Sequence, residues 1–446
     1  MAERLCLENI REVFEKNINN SNVLNIKLKE IAKESFKKFI ELGLPNNKQE
    51  EWKYLNLEQL LKSNYYPYSN FNPEDNVQNL SDSIEQNIIE ECKQSNIVLI
   101  NGFVSESHSN FSALQNKIFI DSIHSSNLRD NPLSVYKEDS SRPHQNIEKD
   151  GGELLNKNFN KVETEDPFVH LNTSFNSEGL FIFIPEGVEL KAPIELLLIS
   201  TNNLTINHPR ILIVSGKHSK AKLFIKTIGT NNIEYFSNIV NELTLEENSK
   251  LEITYLQKEN GNSTQFAFTD ARLHESSELD LSCFAYGSHL SRHKISVNLN
   301  GRGANCKLNG LYKLSSNHAS HNQIVLNHNV ANCTSSQFFK GVLDENAKAE
   351  FSGTINVAKN AIGTNAEQLN KNLLLSPTAK VDTRPQLQIE ADDVKCSHGA
   401  TTGQLEEEQI FYLTSRGLPK EKSIEVLTKA FSDEVLDRSS FKSYLL

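Results

Sequence analysis

A short pattern recurring through the middle of this chain limits the folds open to it. A small residue followed by alternating polar and apolar side chains appears as SKAKL at Ser219, SKLEI at Ser249, SELDL at Ser277 and ANCKL at Ala304, with a related ANCTS at Ala331. The five starts are nearly evenly spaced. AKAEF at Ala347 follows after only about half that interval and AKVDT at Ala379 after a full one, which marks an insertion or a change of strand within the unit. From about Asp166 to Asp393 the chain reads as β throughout, in short segments such as LFIFIP, IELLLIS, RILIVSG, AKLFIKT, LEITYLQ and LDLSCFAYG separated by polar turns. A repeat of this length built from strands alone fits a β-solenoid or β-helix, where each coil buries its inner face on its neighbours. An antiparallel sandwich with similar turns is the competing arrangement.

The flanks are different. Ile26, Leu28, Ile31, Phe36, Phe39 and Ile40 recur near helical spacing until Gly43 and Pro45 supply a stop, which predicts a docking helix. After EEWKYLNLEQLL, an Asn- and Ser-rich stretch from Ser63 to about Asn96 precedes a short strand at Ile97 to Gly102, and residues 105–161 read as long loops or a mobile connection. The tail returns to helices. GQLEEEQIFYLTSRG carries acids in its first turn and ends on Arg416 and Gly417, and Pro419 opens a second helix with Ile424, Leu427, Ala430 and Phe431 on one face. At 446 residues the chain exceeds one compact core, and the expected division is a mixed region 1–165, a β core 166–395 and a helical region 396–446.

Charge and cysteine usage narrow the function. A formal net charge of −11 and a pI of about 5.7 lack the footprint of a nucleic-acid binder. MAERLCLENIREVFEKN has no apolar stretch fit for a signal peptide or a membrane span, so a cytoplasmic chain with no membrane partner is expected. Cys6, Cys92, Cys283, Cys306, Cys333 and Cys396 form no CxxC pair and read as reduced thiols, mostly small buried residues. No P-loop, dinucleotide fingerprint or G-x-S-x-G elbow occurs.

One constellation carries chemistry. In ADDVKCSHGATTGQL, Cys396 and His398 are separated by a single residue, and on an extended strand both side chains share a face. A thiolate beside an imidazole is either a nucleophile with its base or two ligands for iron or zinc, and a thiol that merely packs beside a surface histidine is the structural alternative. A stable iron-sulfur centre usually takes four protein ligands, so this pair supplies at most half of one. The rest comes from a second subunit or from Cys283, His289, His293, Cys306, His318, His321, His328 and Cys333, which a solenoid would scatter over coils and faces. Asp392 and Asp393 invite an acid/base reading, as in a β-helix carbohydrate-active hydrolase or lyase, but one Trp is poor provision for sugar stacking.

RPQLQIEADDVKCSHGATTGQLEEEQIFYLTSRGL resembles the C-terminal signature of the SufB/SufD family of iron-sulfur cluster assembly scaffold proteins. The resemblance continues through NLLLSPTAKVDTRPQL, SSQFFKGVLDENAKAEFSGTINV and the spacing of His318, His321 and His328, and reaches EEWKYLNL near the N-terminus. SHGAT stands where SufB-like chains carry a glutamate-containing HEAT-type sequence, so the chain is similar to the SufD-like members. The resemblance implies a right-handed parallel β-helix core flanked by N-terminal and C-terminal helical regions. It implies a non-catalytic scaffold subunit of a SufBCD-type complex, pairing with SufB through the β-helix and with the ATPase SufC through helices within 396–446. His398 would then stand at the SufB interface where a transient iron-sulfur cluster or iron is held, and Cys396 matches the neighbouring family cysteine. A reduced flavin is associated with such complexes, and no residue of this sequence maps to it. A homodimer of the isolated chain stays open.

Overall fold

A computed structural model describes residues 2–20, 26–46, 48–55, 57, 60, 63, 65–68, 80–115, 117–123, 147–176, 178–230 and 233–445. Its centre is a parallel β-solenoid of about eight coils, and the sandwich arrangement is excluded by the pairing. Alternate strands go to two sheets. Lys220, Lys250, Glu278, Asn305, Thr334, Asn365 and Lys395 stand in one column, each paired in parallel with the next. One coil thus takes roughly 30 residues, within the range of repeat architectures. The Lys220 column belongs to the second sheet; in the other, the first sheet, Phe236, Thr264, Leu290, Ala319, Lys348 and Lys380 form the matching column. The antiparallel pairings between named strands, Asn96–Ile100 with Phe103–Val104 and Phe119–Ser122 with Leu180–Ile184, both lie at the N-terminal end.

The repeated small residue is the corner of the coil. His218, Asn248 and Ser276 take left-handed φ of 57°, 55° and 53°, and the serine that follows each turns its hydroxyl back to the carbonyl three residues earlier. Ser219 donates to Gly216 at 2.6 Å, Ser249 to Glu246 at 2.6 Å and Ser277 to His274 at 2.8 Å, satisfying a backbone acceptor buried where the chain changes sheet. The strand then alternates. Leu223, Ile253, Leu281 and Leu308 are buried in one inward column, while Lys222 with Glu252 at 3.0 Å and Lys250 with Glu278 at 2.7 Å pair across neighbouring coils outside. Exposed pairs of this kind contribute about 0–1 kcal/mol each. Burial of the inner columns dominates, at roughly 1.5–3 kcal/mol for each fully buried aliphatic side chain.

The register corrects the sequence spacing in one place and explains it in another. In the fifth unit the corner residue is Cys333, which follows left-handed Asn332 and precedes Thr334, so ANCTS is counted from a start that lies before the true corner. The shortened step to Ala347 is a change of strand. Ala347 and Ala379 precede Lys348 and Lys380 and turn corners of the other sheet.

Helices clothe the solenoid. Ala2–Asn20 and Ile26–Leu42 pack with Trp52, Leu55, Phe168 and Phe175 over Phe236, Phe266 and Leu290 of the first sheet, with the Phe14 and Phe36 rings stacked at 3.9 Å. The Lys420–Leu436 helix and the segment after it lay Val435, Leu436, Phe441 and Leu445 on Phe224, Leu256, Phe284 and Phe338 of the second sheet. Three helices depart from the sequence expectation. Pro167–Phe175 interrupts the region read as β, because Asp166 accepts the Phe168 N–H at 3.0 Å as N-cap and Pro167 opens the first turn. Leu80–Asn87 lies in the Asn- and Ser-rich stretch, held by buried Leu80 and Ile84 one turn apart. Ile147–Asn158 occupies part of the expected long loop. Residues 69–79 and 124–146, also expected to be loops, lie outside the described residues.

The Ile147–Asn158 helix is fastened through a buried ion pair. Arg210 Nη2 and Glu242 Oε1 are 2.6 Å apart and fully buried. Glu242 also accepts the backbone N–H groups of Asn160 and Lys161 at 3.1 and 3.0 Å, and Arg210 donates to Thr173 at 3.1 Å. Removing one partner leaves the other charge buried and unmatched. Glu242→Ala is expected to lower stability by about 3–5 kcal/mol in urea unfolding and to open residues 147–161 to proteolysis. A loss within the range of an exposed pair would contradict this.

Candidate functional site

The solenoid ends on the segment that the sequence singled out. QLQIEADDVKCSH is not one continuous strand: it turns at residues 390–394, between the strands Lys380–Ile389 and Lys395–Gly403. Asp393 takes a φ of 53° in this corner and its carbonyl accepts the Gly363 N–H at 3.0 Å. Asp392 and Asp393 are thus exposed corner residues, not carboxylates facing each other across a groove.

Cys396 pairs in register with Ala366, and His398 with Gln368. Ala366 and Gln368 are buried inward residues, so Cys396 and His398 both stand on the interior face. No coil follows. Cys396 is half-buried against the end of the core, whereas His398 is exposed at the mouth. Burial pushes the Cys396 thiol above its ordinary range, partly offset by a hydrogen bond from the Ala366 backbone. Both sheets stop here, so the strands 380–389 and 395–403 leave backbone edges side by side that no strand among the described residues pairs with.

Among the described residues the other histidines and cysteines form no ligand set, although Cys283 and His293 line one small cavity. Cys283 and Cys306 are inward and buried, with thiols raised by burial, and Cys333 turns a corner with Sγ 3.3 Å from the Gly301 carbonyl. His293 is half-buried beside the Thr269 hydroxyl at 3.0 Å and His328 buried beside the Ser335 hydroxyl at 2.8 Å, and desolvation lowers both imidazoles to about 4. His321 faces outward, its Nδ1 2.9 Å from Glu350 Oε2. His289 and His318 are half-buried at successive corners. Among the described residues no group of three or more His, Cys, Asp or Glu side chains can hold a metal ion.

One motif was not assigned a role from sequence. EEWKYLNL is a clip over the first sheet: Arg292 lies 4.0 Å from the Trp52 ring and bonds buried Asp166 at 2.7 Å, and Lys294 pairs with Glu51 at 2.9 Å. Burial opposes the Asp166 charge, yet Arg292 and Lys294 hold its carboxyl below the usual range. The clip reaches the last coil through Arg384, 3.6 Å from Glu50 and paired with Glu350. Beyond the solenoid, the Glu407–Ser415 helix buries none of its residues, and Phe411 is 73% and Tyr412 57% exposed.

Residues 197–431 match the family model for the SUF system FeS cluster assembly SufBD core domain, and residues 11–196 match that for the SufBD protein N-terminal region. The chain belongs to the SufB/SufD family. It is similar to an iron-sulfur cluster assembly SufBD family protein of Synechocystis, 32% identical over 410 residues that cover 89% of this chain and 84% of the relative. It is also similar to the iron-sulfur cluster assembly protein SufD of Escherichia coli K12, 32% identical over 60% of this chain and 65% of the relative. A third relative, protein ABCI7, chloroplastic, of Arabidopsis thaliana, is 27% identical over 96% of this chain and 86% of the relative. This SufB/SufD chain is therefore a SufD-like component of iron-sulfur cluster assembly. Among the described residues, no helix is long and apolar enough to cross a membrane.

The placement of the thiols sets a measurable contrast. Cys92, Cys283, Cys306 and Cys333 are buried, and Cys396 is partly open. Alkylation of the native protein followed by mass mapping should modify Cys396 first among these five, the others reacting only on unfolding. Because its pKa is raised, Cys396 is protonated at neutral pH and its rate should still be climbing above the ordinary thiol range. Modification of Cys283 or Cys306 at a comparable rate would contradict the packing.

Proposed function

We propose that this chain is the SufD-like scaffold subunit of a SufBCD-type complex, and that its uncapped solenoid end, with His398 and Cys396 on the inward face, is where a SufB-like subunit joins it. The open end itself carries the reading. A solenoid coil without a following coil leaves its inner face to water, and terminal repeats ordinarily have a polar cap. Here the last coil presents Leu387 and Cys396, and Ile389 is 42% exposed. Asn298, Asn327 and Asn356 form a side-chain ladder at 2.9 and 2.8 Å that Gln388 continues to the edge. A partner ending in similar strands would extend both sheets and cover the thiol and imidazole.

On this reading His398 and Cys396 supply part of the ligand set for a transient iron-sulfur cluster or iron, and the partner supplies the rest. Imidazole is a borderline ligand that binds iron without the permanence of a full thiolate set. This chain performs no hydrolysis in the scheme: ATP turnover belongs to a SufC-like partner docked on the helices from Glu407 onward, where Phe411 and Tyr412 stand free of the core. The docking unit begins there because Lys395–Gly403 is part of the solenoid. Reduced flavin belongs to the complex, and no residue here is assigned to it. The compartment is proposed to be the cytoplasm.

Two substitutions separate the contacts. After co-expression with SufB-like and SufC-like partners and anaerobic iron and sulfide reconstitution, His398→Ala should retain both partners and lower cluster yield several-fold; an unchanged yield overturns the ligand assignment. Phe411→Asp should lose the SufC-like partner in co-purification while keeping the SufB-like one. Retention of both partners removes this helix as the docking site.

A further inference from the structure

The inward column that ends at His398 changes character along the solenoid. Its residues are Leu223, Ile253, Leu281, Leu308, Gln337, Gln368 and His398 in consecutive coils. The first four are apolar and dry. Gln337 and Gln368 are only 1% and 2% exposed, and none of their four amide heteroatoms has a hydrogen-bond partner among the described residues. Buried amides left without partners are strongly disfavoured, and two stacked in one column mark a site built for something.

The facing column makes room for them. Ile295 and Ile324 are followed by Gly353, and a Cβ there would overlap the Gln368 amide and lie 3.2 Å from Gln337 Oε1. The two amide tips therefore converge on the space that the glycine leaves. Gln368 is the immediate parallel neighbour of His398, and such neighbours lie about 4.8 Å apart. In this register the two side chains leave the same face of adjacent strands, and a water seated between them would have polar partners in the Gln368 amide and the imidazole.

We propose that Gln368, backed by Gln337, is a positioning residue for His398: its amide holds an ordered water that fixes the orientation and tautomer of the imidazole. Ligating imidazoles depend on such a partner at the second ring nitrogen, because it selects which nitrogen is free to bind metal. Gln368 does not itself touch the cluster. The inference deepens the reading of His398 above, but its test needs no cluster.

The test is 15N-histidine NMR on the full chain at a pH where the imidazole is neutral, with the His398 signals assigned by their loss in His398→Ala. The wild-type protein should show one dominant tautomer. Gln368→Leu should return the ratio to that of a free imidazole, Gln368→Glu, which keeps an acceptor, should restore dominance, and Gln337→Leu should shift the ratio less. If Gln368→Leu fails to fold, the unbranched Gln368→Met replaces it with the same expectation. A free-imidazole ratio in the wild-type protein, or an unchanged ratio in the apolar variant, overturns the proposal. The two readings fail separately. Unchanged cluster yield in His398→Ala removes the ligand role without touching the tautomer result, and an unchanged tautomer removes the positioning role without touching cluster yield.

Discussion

A solenoid coil cannot bury its own inner face, and the structure follows from how each coil meets that need. Ile253 is not covered by its own turn of chain alone; Leu223 and Leu281 lie in register on either side of it. The N-terminal end is closed by the strands Asn96–Ile100 and Phe119–Ser122. The sheet flanks are covered by helices whose aromatic residues lie on Phe236 and Phe266 on one side and on Phe224 and Phe338 on the other. Among the described residues the C-terminal coil has no such cover. There the coil-to-coil requirement is unmet, and there Cys396 and His398 stand.

That location gives a physical reason for the incomplete ligand set. Each inward column contributes one side chain per coil, so a single chain offers few ligands at its final coil and cannot surround a metal. Cys283, Cys306 and His328 illustrate the converse: inward residues deeper in the stack are buried, and among the described residues they join no group of three that could hold a metal. A second subunit is the natural source of further ligands, and a junction between subunits suits cargo that must later leave.

Much of this was legible in the sequence, and the illegible parts have definable causes. The serine corners at 219, 249 and 277 repeat because one hydrogen bond recurs at each, and the Cys-x-His spacing places both groups on one face wherever the chain is extended. The corner at Cys333 was displaced because Ala331 mimics the small residue, and the strand break at 390–394 was hidden because Val394 stands where earlier corners carry serine. Leu80–Asn87 needs only two apolar residues to dock, too few to stand out from a polar background. Gln337 and Gln368 look like surface residues until the register of the coils places them beneath His398. Column neighbours a full coil apart in the chain are visible only in three dimensions.

The central claim is that the open coil end is an interface, and backbone hydrogen exchange tests it most directly. In the free chain, alternate amides of residues 380–389 and 395–403 face the unpaired edge and should exchange rapidly, while the inner strand Asn365–Leu374 stays protected. On addition of a SufB-like subunit, both edge strands should become protected together. Protection gained elsewhere, with both edges still exchanging at the free-chain rate, would contradict the account.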